Sequence, residues 1–321
     1  EWDRGAAACR EYRIRLPGRN QKRRPMSSRR RTWFLVRLAI YVAVVAVLYV
    51  VRGEPDWRAV GRLLGGARDG PAELIVAGSD LAPRLIPPLL DQYRRDYPDL
   101  TVNLTGGGTN QALEDLLNRR ADVAFLLRPP TAEEQAQLRA VDGDTAVVVA
   151  IAIGGLAVLN AAGADSSALD LAAVRRLLGT GLIGGCDRLY APDPNDGLWD
   201  AARLRLEGPE VPGEAVVFLA DAAAVVGAVT QDVGACGLVS TLTVDLDAGG
   251  PLSPRPLHAG ADQTPARPTY ANLVTGAYPL YHWLYVACRG RGGIEGTKFV
   301  THLASARGQR QVRRAGAVPA R

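Results

Sequence analysis

The stretch Thr105-Gly106-Gly107-Gly108-Thr109-Asn110 joins a short apolar run to a segment with helical periodicity, and Ala77-Gly78-Ser79-Asp80-Leu81 forms a similar junction before it. Glycine lets the backbone approach a ligand closely, and free N–H groups at a helix start point outward and favour negative charge. Such turns in neighbouring strand–helix units converge at the carboxyl ends of the strands, where ligands of open α/β sheets bind. The two junctions therefore predict an α/β fold with an anion site at one edge of the sheet.

Short apolar runs alternate with helical stretches from about Glu73 onward, which predicts an α/β fold with mostly parallel sheets. In the first block we expect strands at 74–77, 101–104, 122–127 and 146–153, and helices at 83–97, 110–120 and 131–140. In the second block we expect strands at 156–160, 189–191, 216–219 and 237–239, and helices at 166–178, 198–206 and 222–230. A loop at 247–268 then precedes a strand at 285–287 and helices at 296–305 and 308–315.

Length and charge narrow the class of protein. The 321 residues exceed one ordinary domain, and 22% charged residues with 35 Gly and 21 Pro exclude a disordered, collagen-like or disulfide-dense chain. Residues 1–32 hold 11 Lys/Arg and 3 Asp/Glu, which leaves 27 Lys/Arg against 30 Asp/Glu in 33–321. The basic character belongs to the first tenth of the chain, so it does not indicate a nucleic-acid partner.

A membrane anchor is predicted at residues 33–51. This segment has one charge, Arg37, and then fourteen apolar residues up to Val51, which is long enough to span a bilayer. A buried core helix and a cleaved signal sequence are the alternatives, but the run is apolar on every face and no small-x-small cleavage site follows it. The positive-inside rule places 1–32 in the cytoplasm and everything after Arg52 outside it. Residues 52–72 then read as a linker and 73–321 as the globular part.

The single Met of the chain is Met26, and reading from it gives an ordinary short n-region before the apolar run. Residues 1–25 are therefore a candidate for upstream translation or for part of a truncated gene model.

The order of motifs resembles the PstS-like phosphate-binding proteins of phosphate ABC transporters, which have the type II periplasmic-binding-protein fold. The resemblance covers most of 73–321, and it rests on seven points in the order of that family. These are Gly78-Ser79 with the helix to Tyr97-Pro98, the Gly106–Thr109 turn, Ala121–Ala124 followed by Arg128 and Glu133-Glu134, Ala222–Thr230 with Asp232–Leu238, Tyr278–Leu280 with Leu284-Tyr285, Phe299 with Gly308-Gln309, and Gly316–Pro319.

The resemblance implies two lobes, about 73–150 plus 250–321 and about 151–249, with an oxyanion held non-covalently in the cleft between them. It implies a monomer that binds phosphate or a similar oxyanion, serves an ABC permease and needs no cofactor or metal. The anion ligands it implies are Ser79, the Leu81 backbone, Gly108, Thr109 and Arg128.

The fourth loop departs from the family, which usually has an Arg followed by a Ser-Gly-Thr turn. This chain has Tyr190-Ala191-Pro192-Asp193-Pro194-Asn195-Asp196-Gly197-Leu198 instead. Asp196, beside Gly197, would repel an anion at close range, or it could accept a proton from monohydrogen phosphate and so discriminate against sulfate. Weakened or lost affinity for phosphate is the consequence we expect.

Two further functions remain open. A phosphatase-like hydrolase would draw on Ser79, Thr109, Asp196 and the three histidines 258, 282 and 302, but the sequence lacks metal-ligand or nucleophile-elbow spacing and we predict no enzyme and no catalytic residue. A tethered sensor or scaffold module could use the same fold without a transport role. Cys186 and Cys236 could pair in an extracytoplasmic domain.

Overall fold

The computed structural model describes residues 72–142, 146–161, 163–246, 251–260, 262–289 and 294–320, with the side chains of Ser79, Val141 and Asp142 left out of the description. Within these ranges no helix is both long and apolar enough to cross a membrane. The basic tail, the candidate start at Met26, the anchor predicted at 33–51 and nearly all of the linker lie outside the described residues.

Twelve strands and nine α-helices form the described part of the chain. The strands are β1 Ala72–Ala77, β2 Leu100–Thr105, β3 Val123–Leu126, β4 Val147–Ala161, β5 Leu169–Asp170, β6 Arg188–Pro192, β7 Val216–Leu219, β8 Ala235–Ser240, β9 Leu252–Pro254, β10 Leu257–His258, β11 Tyr281–Cys288 and β12 Val318–Pro319. The helices are α1 Ile86–Asp96, α2 Gly108–Leu117, α3 Ala132–Asp142, α4 Leu171–Thr180, α5 Leu198–Leu206, α6 Ala222–Gln231, α7 Tyr270–Thr275, α8 Ile294–Ala304 and α9 Ala306–Arg314.

The main sheet has the order β2-β1-β3-β11-β4-β8-β6-β7. The first half, up to β4, belongs to one lobe, and the second half, from β4 onward, belongs to the other. Strands β1, β2 and β3 are parallel, as are β6, β7 and β8, but β4 and β11 run antiparallel to their neighbours. The expectation of mostly parallel sheets was therefore wrong at the centre, where β11 runs antiparallel to β3 and β4, and β4 runs antiparallel to β8.

Strand β4 is a single element where the sequence predicted two. Its residues up to Gly155 pair with β11, whereas its residues from Leu156 onward pair with β8. Gly154 and Gly155 lie within it in register with β11, so the glycine pair does not break the strand. Both glycines fill crowded positions, since a Cβ at Gly154 would come 2.7 Å from His282 Nε2 and one at Gly155 would come 3.0 Å from Pro268 Cβ.

Hydrogen bonds account for further differences between the predicted and the observed helices and strands. Helix α4 begins at Leu171 because Asp170 caps it by accepting from the Ala173 N–H, whereas Ser167, the expected start signal, bonds to Asp165. The loop predicted at 247–268 contains the short strands β9 and β10, which pair with β4 and β5. Helix α7 follows it and was not predicted.

The largest apolar core extends through both lobes. In the first lobe Tyr93 of α1 packs edge-on against Phe299 of α8, and both are fully buried. In the second lobe Trp199 of α5 packs against Phe218 of β7. The strand ends that carry the predicted site therefore rest on a packed frame.

Candidate functional site

The triple-glycine turn between β2 and α2 presents backbone N–H groups at the start of a helix. Gly107 and Gly108 have φ of 108° and 73°, a backbone that favours glycine. The N–H of Gly107 donates to Asp80 Oδ2 at 2.8 Å, and the nitrogen of Gly108 lies 3.5 Å from Asp80 Oδ1. The donors that the sequence assigned to an anion therefore already hold a carboxylate, which comes from the neighbouring junction.

Thr109 and Leu81 make structural contacts at the same strand ends. Thr109 is fully buried, and its Oγ1 accepts from the Leu127 N–H at 2.9 Å, so it fixes the end of β3 to the start of α2. The Leu81 N–H donates to Gly78 O at 3.3 Å and closes the 3₁₀ turn that Ser79 begins. The hydroxyl of Ser79 lies outside the described side chains.

The loop of the second lobe lies directly against this turn. A 3₁₀ turn at Pro194–Asp196 ends in Gly197, whose φ is 90°. A Cβ at Gly108 would come 2.5 Å from Asn195 O, and a Cβ at Gly197 would come 2.5 Å from Thr109 Oγ1. Glycine on both sides thus allows the lobes to touch, and the cleft is closed at the predicted anion position.

Asp196 is half-buried at this contact. Burial raises its pKa to about 7, although the Leu198 N–H, which donates to Asp196 Oδ1 at 3.1 Å, works in the opposite direction. The carboxylates of Asp80, Asp193 and Asp221 add to the rise. The closed cleft is therefore an acidic environment in which Asp196 titrates near neutral pH.

Arg128 is buried rather than a solvated surface residue. Its guanidinium donates to both carboxylate oxygens of Glu134 at 2.7 and 2.8 Å and to Asn110 Oδ1 at 2.8 Å, and its Nε lies 3.3 Å from Asp200 Oδ2. The hydrogen bonds to Glu134 raise the pKa of Arg128 despite burial. Burial alone would raise the pKa of Glu134, but Arg128 and Thr131 outweigh it and lower that pKa.

Arg128 thereby links the two lobes, since Asp200 lies on α5. Glu134 also forms a reciprocal cap with Thr131 at the start of α3: the Thr131 N–H donates to Glu134 Oε2 at 2.7 Å, and the Glu134 N–H donates to Thr131 Oγ1 at 3.2 Å. The positive charge predicted for an anion is thus compensated by two carboxylates.

The structure brings Gly108, Thr109, Arg128, Asp196 and Gly197 to one place between the lobes. Sequence reasoning missed Asp80, Asn110, Glu134 and Asp200, which occupy or neutralise these groups. The Thr-x-x-Glu pattern at 131–134 was a signal for the cap, whereas the contacts of Asp80 and Asp200 cross between loops and had no local signal.

The histidines do not assemble into a reactive group. His282 is buried on β11, its Nε2 lies 2.7 Å from Ser240 Oγ, and burial lowers its pKa to about 4. His258 contacts Gly260 O, and His302 packs against Tyr93. No metal-binding group of three or more His, Cys, Asp or Glu occurs among the described residues.

Cys186 and Cys236 form a disulfide, with Cα atoms 5.6 Å apart.

Known proteins share this architecture at low sequence identity. A protein assigned as a phosphate ABC transporter substrate-binding protein of Clostridium perfringens, solved with bound phosphate, is 15% identical, with a TM-score of 0.64 over 78% of this chain and 100% of its own. An ABC-type phosphate transport receptor of Vibrio cholerae is 15% identical, with a TM-score of 0.61 over 77% of this chain and 100% of its own. The chain has the two-lobed type II periplasmic-binding-protein fold.

Regulatory proteins share the same fold. The reduced OxyR regulatory domain of Pseudomonas aeruginosa is 15% identical, with a TM-score of 0.50 over 76% of this chain and 96% of its own. Residues 74–156 match the family model described as the LysR substrate binding domain. No curated protein matches the chain in sequence. At these identities the likeness establishes the fold and leaves the function to the geometry of the site.

Proposed function

We propose that the chain is an extracytoplasmic binding protein for phosphate or a similar oxyanion, tethered by residues 33–51, that captures the anion between its lobes for an ABC permease. One observation carries the proposal: the Gly107–Gly108 turn at the start of α2 holds an oxyanion, the Asp80 carboxylate, through backbone N–H groups. A turn that binds a carboxylate in this way offers the donors that a phosphate oxygen requires.

Capture then proceeds by exchange. When the lobes separate, Asn195 leaves the surface of Gly108, and an incoming oxyanion replaces the carboxylate of Asp80 on the N–H groups. Each charge-assisted bond is worth about 1.5–3 kcal/mol, so Asp80 is an internal competitor that lowers the apparent affinity. Asp80 is exposed on the side away from the core, so its side chain has room to move aside.

Asp196 gives this exchange a dependence on pH. Its carboxyl group titrates near 7, and in the neutral form it donates a hydrogen bond to an oxyanion, whereas in the ionised form it repels one. We therefore expect tighter binding below pH 7 than above it. An ionised Asp196 can still accept a proton from monohydrogen phosphate, which sulfate cannot supply.

Isothermal titration of the full chain with phosphate, sulfate and molybdate tests the proposal, with Asp80→Ala as the variant and Asp91→Ala as the matched control. Asp91 is an exposed carboxylate on α1 that pairs only with Arg94 among the described residues. We expect Asp80→Ala to tighten oxyanion binding by about tenfold or more, the equivalent of about 1.4 kcal/mol, and Asp91→Ala to leave it unchanged. If no oxyanion gives a heat of binding with either the wild type or Asp80→Ala, the proposed receptor function is overturned.

The tether is tested separately. Extraction of native membranes at alkaline pH should leave the chain in the membrane fraction, and a deletion of residues 33–51 should release it. Release of the undeleted chain would contradict the tether and would leave the anion site as proposed.

A tethered sensor without a transport role is the second candidate. It is favoured by Arg128, whose charge is already compensated by Glu134 and Asp200, and by the match to a LysR substrate binding domain. In this case the closed, self-occupied cleft is a resting state, and a partner reads whether it opens. Absence of oxyanion heat together with unchanged phosphate uptake in a deletion strain would favour the sensor.

A further inference from the structure

A second cavity lies where the chain passes between the two lobes. It has a volume of about 410 Å³ and is lined by Ile153 of β4, by Thr241, Leu242, Val244 and Leu246 after β8, by Tyr270 and Leu273 of α7 and by the C-terminal residues 316–318. Ile153 lies three residues before Leu156, the residue at which β4 changes partners from β11 to β8. The cavity is therefore built from the connecting segments, apart from the cleft that holds Asp80 and Asp196.

Buried apolar side chains form part of its wall. Leu242, Pro268, Leu273 and Val318 are buried residues that face the cavity. Its volume falls within the range of small-molecule sites, about 300–1,000 Å³, which are apolar with a few placed polar groups. The wall therefore suits a compact apolar body.

The polar groups at the cavity are cationic or neutral. Arg313, exposed in the last turn of α9, forms no side-chain hydrogen bond or ion pair with any described residue. Arg84 is ion-paired with Asp245 at 2.7 Å, which compensates its charge. Thr241 Oγ1 accepts from the Gly155 N–H at 2.8 Å, and its own hydrogen is available to donate. None of the described residues lining the cavity is acidic.

We propose that this cavity binds a small organic acid, with the carboxylate at Arg313 and the Thr241 hydroxyl and an aryl or branched alkyl body against the apolar wall. One uncompensated guanidinium matches a monoanion, and its planar donors fit a carboxylate in a bidentate arrangement. A dianion would leave a charge without a partner beside apolar side chains, which is costly. The ligand class is thus an amphiphilic monocarboxylate rather than an inorganic oxyanion.

Hydrogen bonds between the two lobes border the cavity. Thr243, next to the lining residues, donates from its hydroxyl to Leu81 O, and Arg84 reaches Asp245 across the same gap. If a ligand in the cavity favours one arrangement of the lobes, its binding is coupled to that of the anion, and the coupling is reciprocal.

Saturation-transfer NMR and isothermal titration of the full chain with benzoate, and with neutral benzamide as the matched ligand, test the site in buffer free of phosphate. We expect benzoate to bind and benzamide to bind at least about tenfold more weakly. Arg313→Ala should weaken benzoate at least about tenfold, the equivalent of about 1.4 kcal/mol, whereas Arg314→Ala removes the same charge from an exposed neighbour outside the lining and should change nothing.

Val244→Phe gives a second variant that keeps every charge and fills the cavity. It should abolish benzoate binding while the melting temperature stays within the range of the wild type. Absence of benzoate binding to the wild type overturns the proposal, and so does binding that survives both Arg313→Ala and Val244→Phe. Because no oxyanion is present in this titration, its failure leaves the anion cleft untouched.

Discussion

Gly197 of the second lobe lies so close to Thr109 of the first that a Cβ at Gly197 would come 2.5 Å from the Thr109 hydroxyl oxygen. Thr109 is fully buried and cannot turn away, since its oxygen also accepts from the Leu127 N–H. The closed arrangement of the lobes therefore depends on the absence of a single methyl group.

Gly197→Ala should open the cleft. The positive φ alone costs about 1–2 kcal/mol for a residue with a Cβ, and the clash with Thr109 adds to it. We expect a larger radius of gyration by small-angle X-ray scattering and a lower melting temperature. Gly163→Ala is the matched control, because Gly163 also has a positive φ, 86°, and no atom lies within 4 Å of a Cβ there. Equal effects of the two substitutions would refute the contact.

Arg128→Ala should destabilise the fold by about 3 kcal/mol or more. The substitution removes a buried cation and leaves Glu134 without the partner that lowers its pKa. Arg120→Ala removes an exposed arginine that also contacts two carboxylates, Glu114 and Asp115, and should cost less than about 1 kcal/mol. Urea unfolding of both variants measures the difference, and a cost for Arg128 as small as that for Arg120 would contradict the burial of the ion pair.

Asp196→Asn should change how stability depends on pH. Because burial raises the folded pKa of Asp196 to about 7, the folded state retains a proton that the unfolded state loses near pH 4. Asp196 therefore adds to the free energy of unfolding at low pH, and this stabilisation is lost as pH rises from about 4 to about 7. Asn keeps the acceptor for the Leu198 N–H and carries no charge, so the variant should gain stability over the wild type through this window.

The unfolding free energy of both proteins, measured in urea from about pH 4 to about pH 8, tests this difference. Asp91→Asn, on the exposed face of α1, provides the control. Parallel curves for the wild type and Asp196→Asn would show that Asp196 ionises normally in the folded protein.

Reduction of the Cys186–Cys236 bond should lower stability by about 2–4 kcal/mol. The two residues are 50 positions apart, so the bond removes a large loop from the unfolded chain. The double variant Cys186→Ala/Cys236→Ala should reproduce the loss and become insensitive to dithiothreitol. Thermal melts with and without reductant measure the effect, and equal melting temperatures would mean that the bond does not form in solution.

Much of the fold could be predicted from the sequence because local patterns determine it. Helix α5 and strand β7 begin and end where periodicity placed them. The predictions fail where contacts with residues distant in the sequence determine the local structure. Separate strands were predicted at 146–153 and 156–160, but Gly154 and Gly155 between them pair with β11, and the strand continues.

The candidate site also combines features that local sequence determines with features that distant contacts determine. The turn at Gly107–Gly108 was predicted as a set of donors, because positive φ and a helix start are local properties. The acceptor that fills it, Asp80, and the second partner of Arg128, Asp200, come from other strand–helix junctions. Their positions depend on how the loops and lobes meet, which a single sequence does not encode in any short pattern.

Strand β4 has a further consequence for how the protein folds. Its 15 residues complete the sheet of one lobe up to Gly155 and the sheet of the other from Leu156 onward. Neither lobe can satisfy its central backbone hydrogen bonds while this strand is unformed, and a strand formed on one side extends directly into the other. The two lobes are therefore one cooperative unit, and heating should melt residues 72–321 in a single calorimetric transition rather than lobe by lobe.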